Sequence, residues 1–181
     1  MTKAPNRFYA VISLATFAKL LFNIIRRLVY PFAPEFARGT GVHLAAITPI
    51  IALNQITAVL GPVGAAFADR YGYRRLMLAA LVLMALGAFC AGLFPFYWAL
   101  ALCLFLGGLA KCMFDPTLQA HIGSSVPRKQ LGRYIGITET AWAGSTLVGI
   151  PLAGLAISRF SWQAPFLILG LLACICFLGF L

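Results

Sequence analysis

Two carboxylates and four cations stand at positions where a chain this apolar has little reason to hold charge. The sequence contains four acidic residues, Glu35, Asp69, Asp115 and Glu139, against 14 Lys and Arg. Asp115 and Glu139 fall inside long apolar runs, as do Lys19, Arg26, Arg27 and Lys111. Proton coupling requires a carboxylate whose proton affinity can rise through desolvation, and these two acids are the candidates at membrane depth. Lys111, Asp115 and Gln119 recur at i, i+4 and i+8, so they share one helical face and Lys111 can pair with Asp115. That pair could carry transport or simply stiffen a helix bent by Pro116. At about 100° per residue, Thr16, Lys19, Asn23, Arg26, Arg27 and Tyr30 fall within roughly a 100° arc. Leu14, Phe17, Leu21, Ile25 and Leu28 occupy the opposite side.

Three lipid-facing cations on one helix would cost roughly 8 kcal/mol, so the stripe is expected to face inward and line something wet. Asn23, Arg26, Arg27, Asn54 and Lys111 are the candidate cavity residues, and their charge favours anionic or polar neutral solutes. Gln55 and Thr57 add polar groups near Asn54, and Glu139 lies close in sequence to Trp142 and Thr146. Bland alternatives stand beside each reading. Lys19 could pair with an acid on another helix, Arg27 could reach the outer face, and Glu139 could pair with arginines of the cytoplasmic loops.

The elements that must hold these residues are apolar helices. Of 181 residues, 62% are hydrophobic and 10% charged, with a mean hydropathy of +0.94, well outside a soluble domain. A bilayer span takes about 20 apolar residues. The charged and Pro/Gly-rich breaks leave six such runs, roughly 8–30, 43–67, 76–96, 97–120, 133–158 and 165–181. Open sheets cannot satisfy their backbone in lipid, so the expectation is an all-α, six-helix bundle forming one transmembrane domain over 1–181. Pro31 and Pro34 should end the first helix and shape an outer loop in which Glu35 and Arg38 can pair. Trp98, Tyr97, Trp162 and Tyr30 suit an interfacial aromatic belt.

The net charge of +10 sorts by loop rather than forming a nucleic-acid patch. Lys3 and Arg7 precede the first run, Arg70, Arg74 and Arg75 follow the second, and Arg128, Lys129 and Arg133 surround the start of the fifth. The alternate loops carry only Arg38 and Arg159. This asymmetry places the N-terminus in the cytoplasm and gives no nucleic-acid partner. The five cysteines lie in apolar runs without CxxC or His companions, so no metal or cofactor is expected. No HExxH or GxSxG appears, which argues against an enzyme. Lys19 interrupts the first run, which reads as a retained helix rather than a signal peptide.

The stretch "GPVGAAFADRYGYRR", residues 61–75, resembles the major facilitator superfamily pattern Gly-x-x-x-Asp-Arg/Lys-x-Gly-x-Arg/Lys-Arg/Lys between helices two and three. Asp69, Arg70, Gly72, Arg74 and Arg75 match in order, while Ala65 occupies the first glycine's place and Gly64 precedes it by one. "GITETAWAGSTLVGIPLAGLAIS" is similar to the family's helix-five motif through Gly144, Gly149, Pro151 and Gly154, with Ile150 splitting the usual Gly-Pro. "VPRKQLGRYIG" and "FSWQAPF" resemble the segments before helices five and six. The resemblance implies the N-terminal six-helix half of a secondary transporter whose helices one and four line a central cavity. It implies alternating access, with proton-coupled efflux as the favoured mode. The loop from Gly64 to Arg75 would act as a gating latch against the other half, with Asp69 near a helix N-terminus there. The implied partners are a small solute, protons, membrane lipid, and a C-terminal half or second half-size chain. The implied location is a bacterial inner membrane. Because the chain stops on "LLACICFLGFL" with no charged flank, it is expected to be a fragment or a half-size polypeptide. The rival is a half-size, non-transporting subunit.

Overall fold

The computed structural model describes residues 5–60 and 72–181. Gly64, Asp69 and Arg70 of the gating motif lie outside the described residues. Everything regular among the described residues is helical, as the composition requires of a chain in lipid.

Helix α1 runs Pro5–Arg27. It stops three residues short of the expected position 30, because Pro31 disfavours helical backbone at the residue before it and residues 28–32 turn instead. The expected outer loop contains a short helix, α2, Ala33–Thr40, with Pro34 in its first turn. Gly41 ends it in the left-handed region at φ 72°, and its N–H turns back to the carbonyls of Ala37 and Arg38; a glycine takes that conformation without a Cβ clash. Glu35 and Arg38 form the anticipated ion pair across one turn. A 3₁₀ turn, Leu44–Ala46, leads into α3, Ile47–Ile56, and a second 3₁₀ turn, Thr57–Leu60. The chain bends by 105° between α2 and this apolar segment.

The remaining helices are α4, Tyr73–Leu93, α5, Tyr97–Ser125, α6, Arg128–Gly144, α7, Ile150–Arg159, and α8, Ala164–Phe180. Between α6 and α7 the residues Ser145–Gly149 form a π turn. Its cause is local: Pro151 has no N–H to donate four residues back, and helices commonly widen at such a point. Helix α5 is 29 residues long, about 43 Å at 1.5 Å per residue, so it overruns a hydrocarbon core of about 30 Å and extends beyond the expected 97–120.

Among the described residues, four segments are long and apolar enough to cross a membrane: Tyr9–Arg27, Tyr73–Leu93, Tyr97–Ser125 and Arg128–Arg159. A fifth follows if the bent pair of α2 and the segment Leu44–Val59 is one span, and α8 is a shorter apolar helix of 17 residues.

Small residues let these helices approach closely, the usual device where no hydrophobic force drives helices together. Ala15, Ala18, Ala80, Ala88, Ala91, Ala110 and Ala173 are fully buried. A Cβ on Gly87 of α4 would lie 3.2 Å from the Cys103 backbone of α5. Phe22 of α1 meets Phe114 of α5 with ring centroids 4.8 Å apart, fixing the centre of the bundle. The outer surface is the reverse of a soluble protein's, with Leu86, Trp98, Leu147, Val148 and Leu178 all exposed.

Candidate functional site

A cavity of about 390 Å³ opens between α1, α3, α5 and α6, lined by Lys19, Asn23, Arg26, Arg27, Tyr30, Gln55, Lys111, Asp115, Gln119, Glu139 and Trp142. Four of these, Lys19, Asn23, Arg26 and Arg27, come from the polar stripe of α1, whose 3.6-residue period brings them to one wall, and Tyr30 joins them from the turn that follows. Three come from α5 at the i, i+4, i+8 spacing. Thr16 is not among the lining residues; its hydroxyl donates to the Ile12 carbonyl at 2.8 Å, within its own helix.

Both acids on the wall are matched to lysines. Lys19 Nζ donates to Glu139 Oε1 at 2.6 Å, joining α1 to α6. The lysine side chain is 4% exposed and the carboxylate 49%, so the cation is anchored in protein while the acid opens to the cavity. Glu139 therefore meets a membrane-depth lysine rather than a loop arginine, and the helix-to-helix alternative for Lys19 is the geometry found. Lys111 Nζ donates to Asp115 Oδ2 at 2.5 Å along one face of α5. Asp115 Oδ1 is buried and has no partner among the described residues.

The two arginines are held by neutral groups. Arg26 donates through Nε to Asn54 Oδ1 at 3.1 Å and through Nη2 to Gln55 Oε1 at 2.6 Å. Asn54 in turn donates to the Leu104 carbonyl at 2.7 Å, and Gln55 to the Tyr30 hydroxyl at 2.8 Å. Asn54 is buried and stands behind Arg26 rather than on the cavity wall; it is a support for the arginine, and its neighbour Gln55 faces the opening. Arg27 bonds Thr146 and lies 3.4 Å from the Trp142 carbonyl, with its guanidinium carbon 4.2 Å from the centre of the Trp142 ring. The indole offers the guanidinium a cation–π partner on the cavity wall.

The helix-five glycines all face α1 or the turn after it. A Cβ on Gly144 would lie 3.2 Å from Leu20, one on Gly149 would overlap the end of the Ile24 side chain, and one on Gly154 would touch Phe32 at 3.0 Å. Gly149 closes the π turn and Pro151 follows it. These residues form a packing seam adjoining the Arg27–Thr146 bond. In the described part of the gating motif, Gly72 precedes α4 at φ 86°, Arg75 is exposed, and Arg74 donates through Nε to the Phe180 carbonyl at 2.8 Å. The positive side chain meets the carbonyl end of α8, where the helix dipole favours it.

Lys19, Tyr30, Gln55, Gln119 and Trp142 complete the wall beside the six candidate residues that line it. Spacing on the α1 and α5 stripes signalled Tyr30 and Gln119. Trp162, an expected aromatic-belt residue, packs edge-on against Phe36 and Phe166. Among the described residues no group of three or more His, Cys, Asp or Glu is arranged to hold a metal.

Fold and cavity together define a helical membrane protein with a charged internal site. The family model described as the Major Facilitator Superfamily matches residues 15–181, and the chain belongs to that superfamily, a family of integral membrane transporters rather than enzymes. Among its relatives are the multi-drug resistance efflux pump PmrA of Streptococcus pneumoniae, 29% identical over 87% of this chain and 40% of the relative, and a PmrA homolog of Lactococcus lactis, 30% identical over 80% of this chain and 37% of the relative. The vacuolar membrane amino acid uptake transporter fnx2 of Schizosaccharomyces pombe is 30% identical over 80% of this chain and 24% of the relative. The chain thus spans well under half the length of these relatives.

Proposed function

We propose that residues 1–181 form the N-terminal six-helix half of a secondary transporter that exports a small solute by alternating access, coupled to protons. The second helix of that half would run through 43–67, partly beyond the described residues. The partner is a C-terminal six-helix half or a second half-size chain, against which the Gly64–Arg75 loop latches. The setting is a bacterial inner membrane with the N-terminus cytoplasmic, a reading supported by the loop charges. Export is supported by the relatives named as efflux pumps and by the resemblance of the Gly144, Gly149, Pro151 and Gly154 stretch to the family's helix-five motif.

The observation that carries the coupling is the Lys19–Glu139 bond on the cavity wall. A proton delivered from the cavity to the half-exposed Glu139 would remove the counter-charge of a lysine buried between helices. An unpaired buried ammonium is strongly unfavourable, so protonation and a shift of α1 against α6 are linked. Asp115, with one oxygen unpartnered among the described residues, offers a second proton-accepting group beside Lys111.

The test is flux in proteoliposomes of the full-length gene product, with ethidium, benzenesulfonate and leucine as cationic, anionic and zwitterionic solutes. Movement of at least one against its own gradient, driven by an imposed pH gradient and lost in Glu139→Gln or Asp115→Asn, is the expected result. Absence of gradient-driven movement of all three contradicts the proposal.

A further inference from the structure

We infer that the solute is a small organic anion bearing a ring, seated with its charged group on Arg26 and its ring against Tyr30 and Trp142. The inference rests on the transport reading above and names the substrate class of that site. The distribution of charge on the wall carries it. Four cations and two carboxylates line the cavity, and both carboxylates are already bonded to lysines. Among the described residues, Arg26 and Arg27 have only neutral partners: two side-chain amides for one, a hydroxyl, a carbonyl and an indole ring for the other.

Arg26 has the free donors. Its bonds to Asn54 and Gln55 use Nε and one Nη2 hydrogen, leaving the Nη1 pair and the second Nη2 hydrogen for a ligand, and a guanidinium edge matches a carboxylate in a two-point bond. Asn23, three residues earlier on the same face of α1, is 3% exposed and its amide nitrogen has no acceptor among the described residues. A buried donor left unmet is unfavourable, and an anionic oxygen beside Arg26 would meet it. Tyr30 and Trp142 supply the broad apolar surfaces of an otherwise polar wall. The volume lies at the small end of the range for ligand pockets, fitting one or two rings.

The test is equilibrium binding of labelled benzoate to the full-length protein in phosphatidylcholine nanodiscs, with benzamide as the neutral isostere and ethidium as the cation. Benzoate is expected to saturate the site and benzamide to compete at least about tenfold more weakly. Arg26→Gln should weaken benzoate by about tenfold or more while leaving benzamide unchanged. Gln55→Glu serves as the second variant: it keeps the arginine but supplies it with a carboxylate, and should produce a similar loss. No saturable benzoate binding overturns the inference, as does equal competition by benzamide or indifference to both variants. Displacement of benzoate by added phosphatidylglycerol would assign the site to a lipid headgroup and overturn it too. Benzoate binding sensitive to Arg26 without gradient-driven flux would sink the transport reading and leave the anion site standing. Gradient-driven flux of ethidium alone, untouched by Arg26→Gln, would do the opposite.

Discussion

Lys19 Nζ and Glu139 Oε1 meet at 2.6 Å although 120 residues separate them in the chain. The bond crosses from α1 to α6 at the cavity wall, and its two ends differ in setting: the ammonium is enclosed by protein and the carboxylate half open. Removing the acid should therefore be worse than removing both groups. Glu139→Gln is expected to lower the stability of the full-length protein by about 1–3 kcal/mol, discounted from a fully buried pair because the carboxylate is accessible. The double variant Lys19→Met with Glu139→Gln should recover part of that loss in thermal unfolding in detergent. A double variant no more stable than the single one would show that the pair is not the buried charge bond described.

Gly149 is the tightest point of the helix-five seam. A methyl group there would overlap the Cγ1 and Cδ1 atoms of Ile24, and overpacking of this kind costs about 1–3 kcal/mol. Gly149→Ala should lower the melting temperature, and Ile24→Ala, which deletes both obstructing atoms, should make the pair of changes cost less than the sum of the two alone. Strict additivity in such a cycle would separate the two residues.

Trp142 holds Arg27 through its ring face, a contact worth about 0.5–2 kcal/mol. Trp142→Phe should keep much of this stabilisation and Trp142→Leu should lose it, read as a graded change in stability that disappears when Arg27 is replaced by Gln. Equal effects of both substitutions in the Arg27→Gln background and in the native one would leave the stacking without energetic weight.

Much of the architecture can be read from residue spacing. The apolar runs of the first, third, fourth and sixth segments fall within a few residues of α1, α4, α5 and α8, since uninterrupted hydrophobic stretches leave the chain little choice in lipid. Lys111–Asp115 and Glu35–Arg38 follow from local helical geometry, and the α1 stripe gives four wall residues, with Tyr30 in the turn after it. The Lys19–Glu139 partnership was not legible, because nothing local records which helices become neighbours. Asn54 and Gln55 exchanged roles for a different reason. A polar pair at adjacent positions points about 100° apart, and only the docking of α3 against α5 decides which one faces inward. The π turn at Ser145–Gly149 adds a residue to one turn and shifts the face presented after it, which a strict 3.6-residue count does not anticipate.

The cavity is proposed to open in turn to each side of the membrane. Gln119 on α5 lines it and is exposed, with no side-chain bond among the described residues, so a cysteine there can report access with little disturbance. In a cysteine-free full-length protein that still transports, Gln119→Cys in oriented vesicles would be exposed to a membrane-impermeant thiol reagent from one side and then the other. Labelling from both sides is expected, with the balance shifting when a pH gradient is imposed. Labelling from a single side whatever the gradient would contradict alternating access.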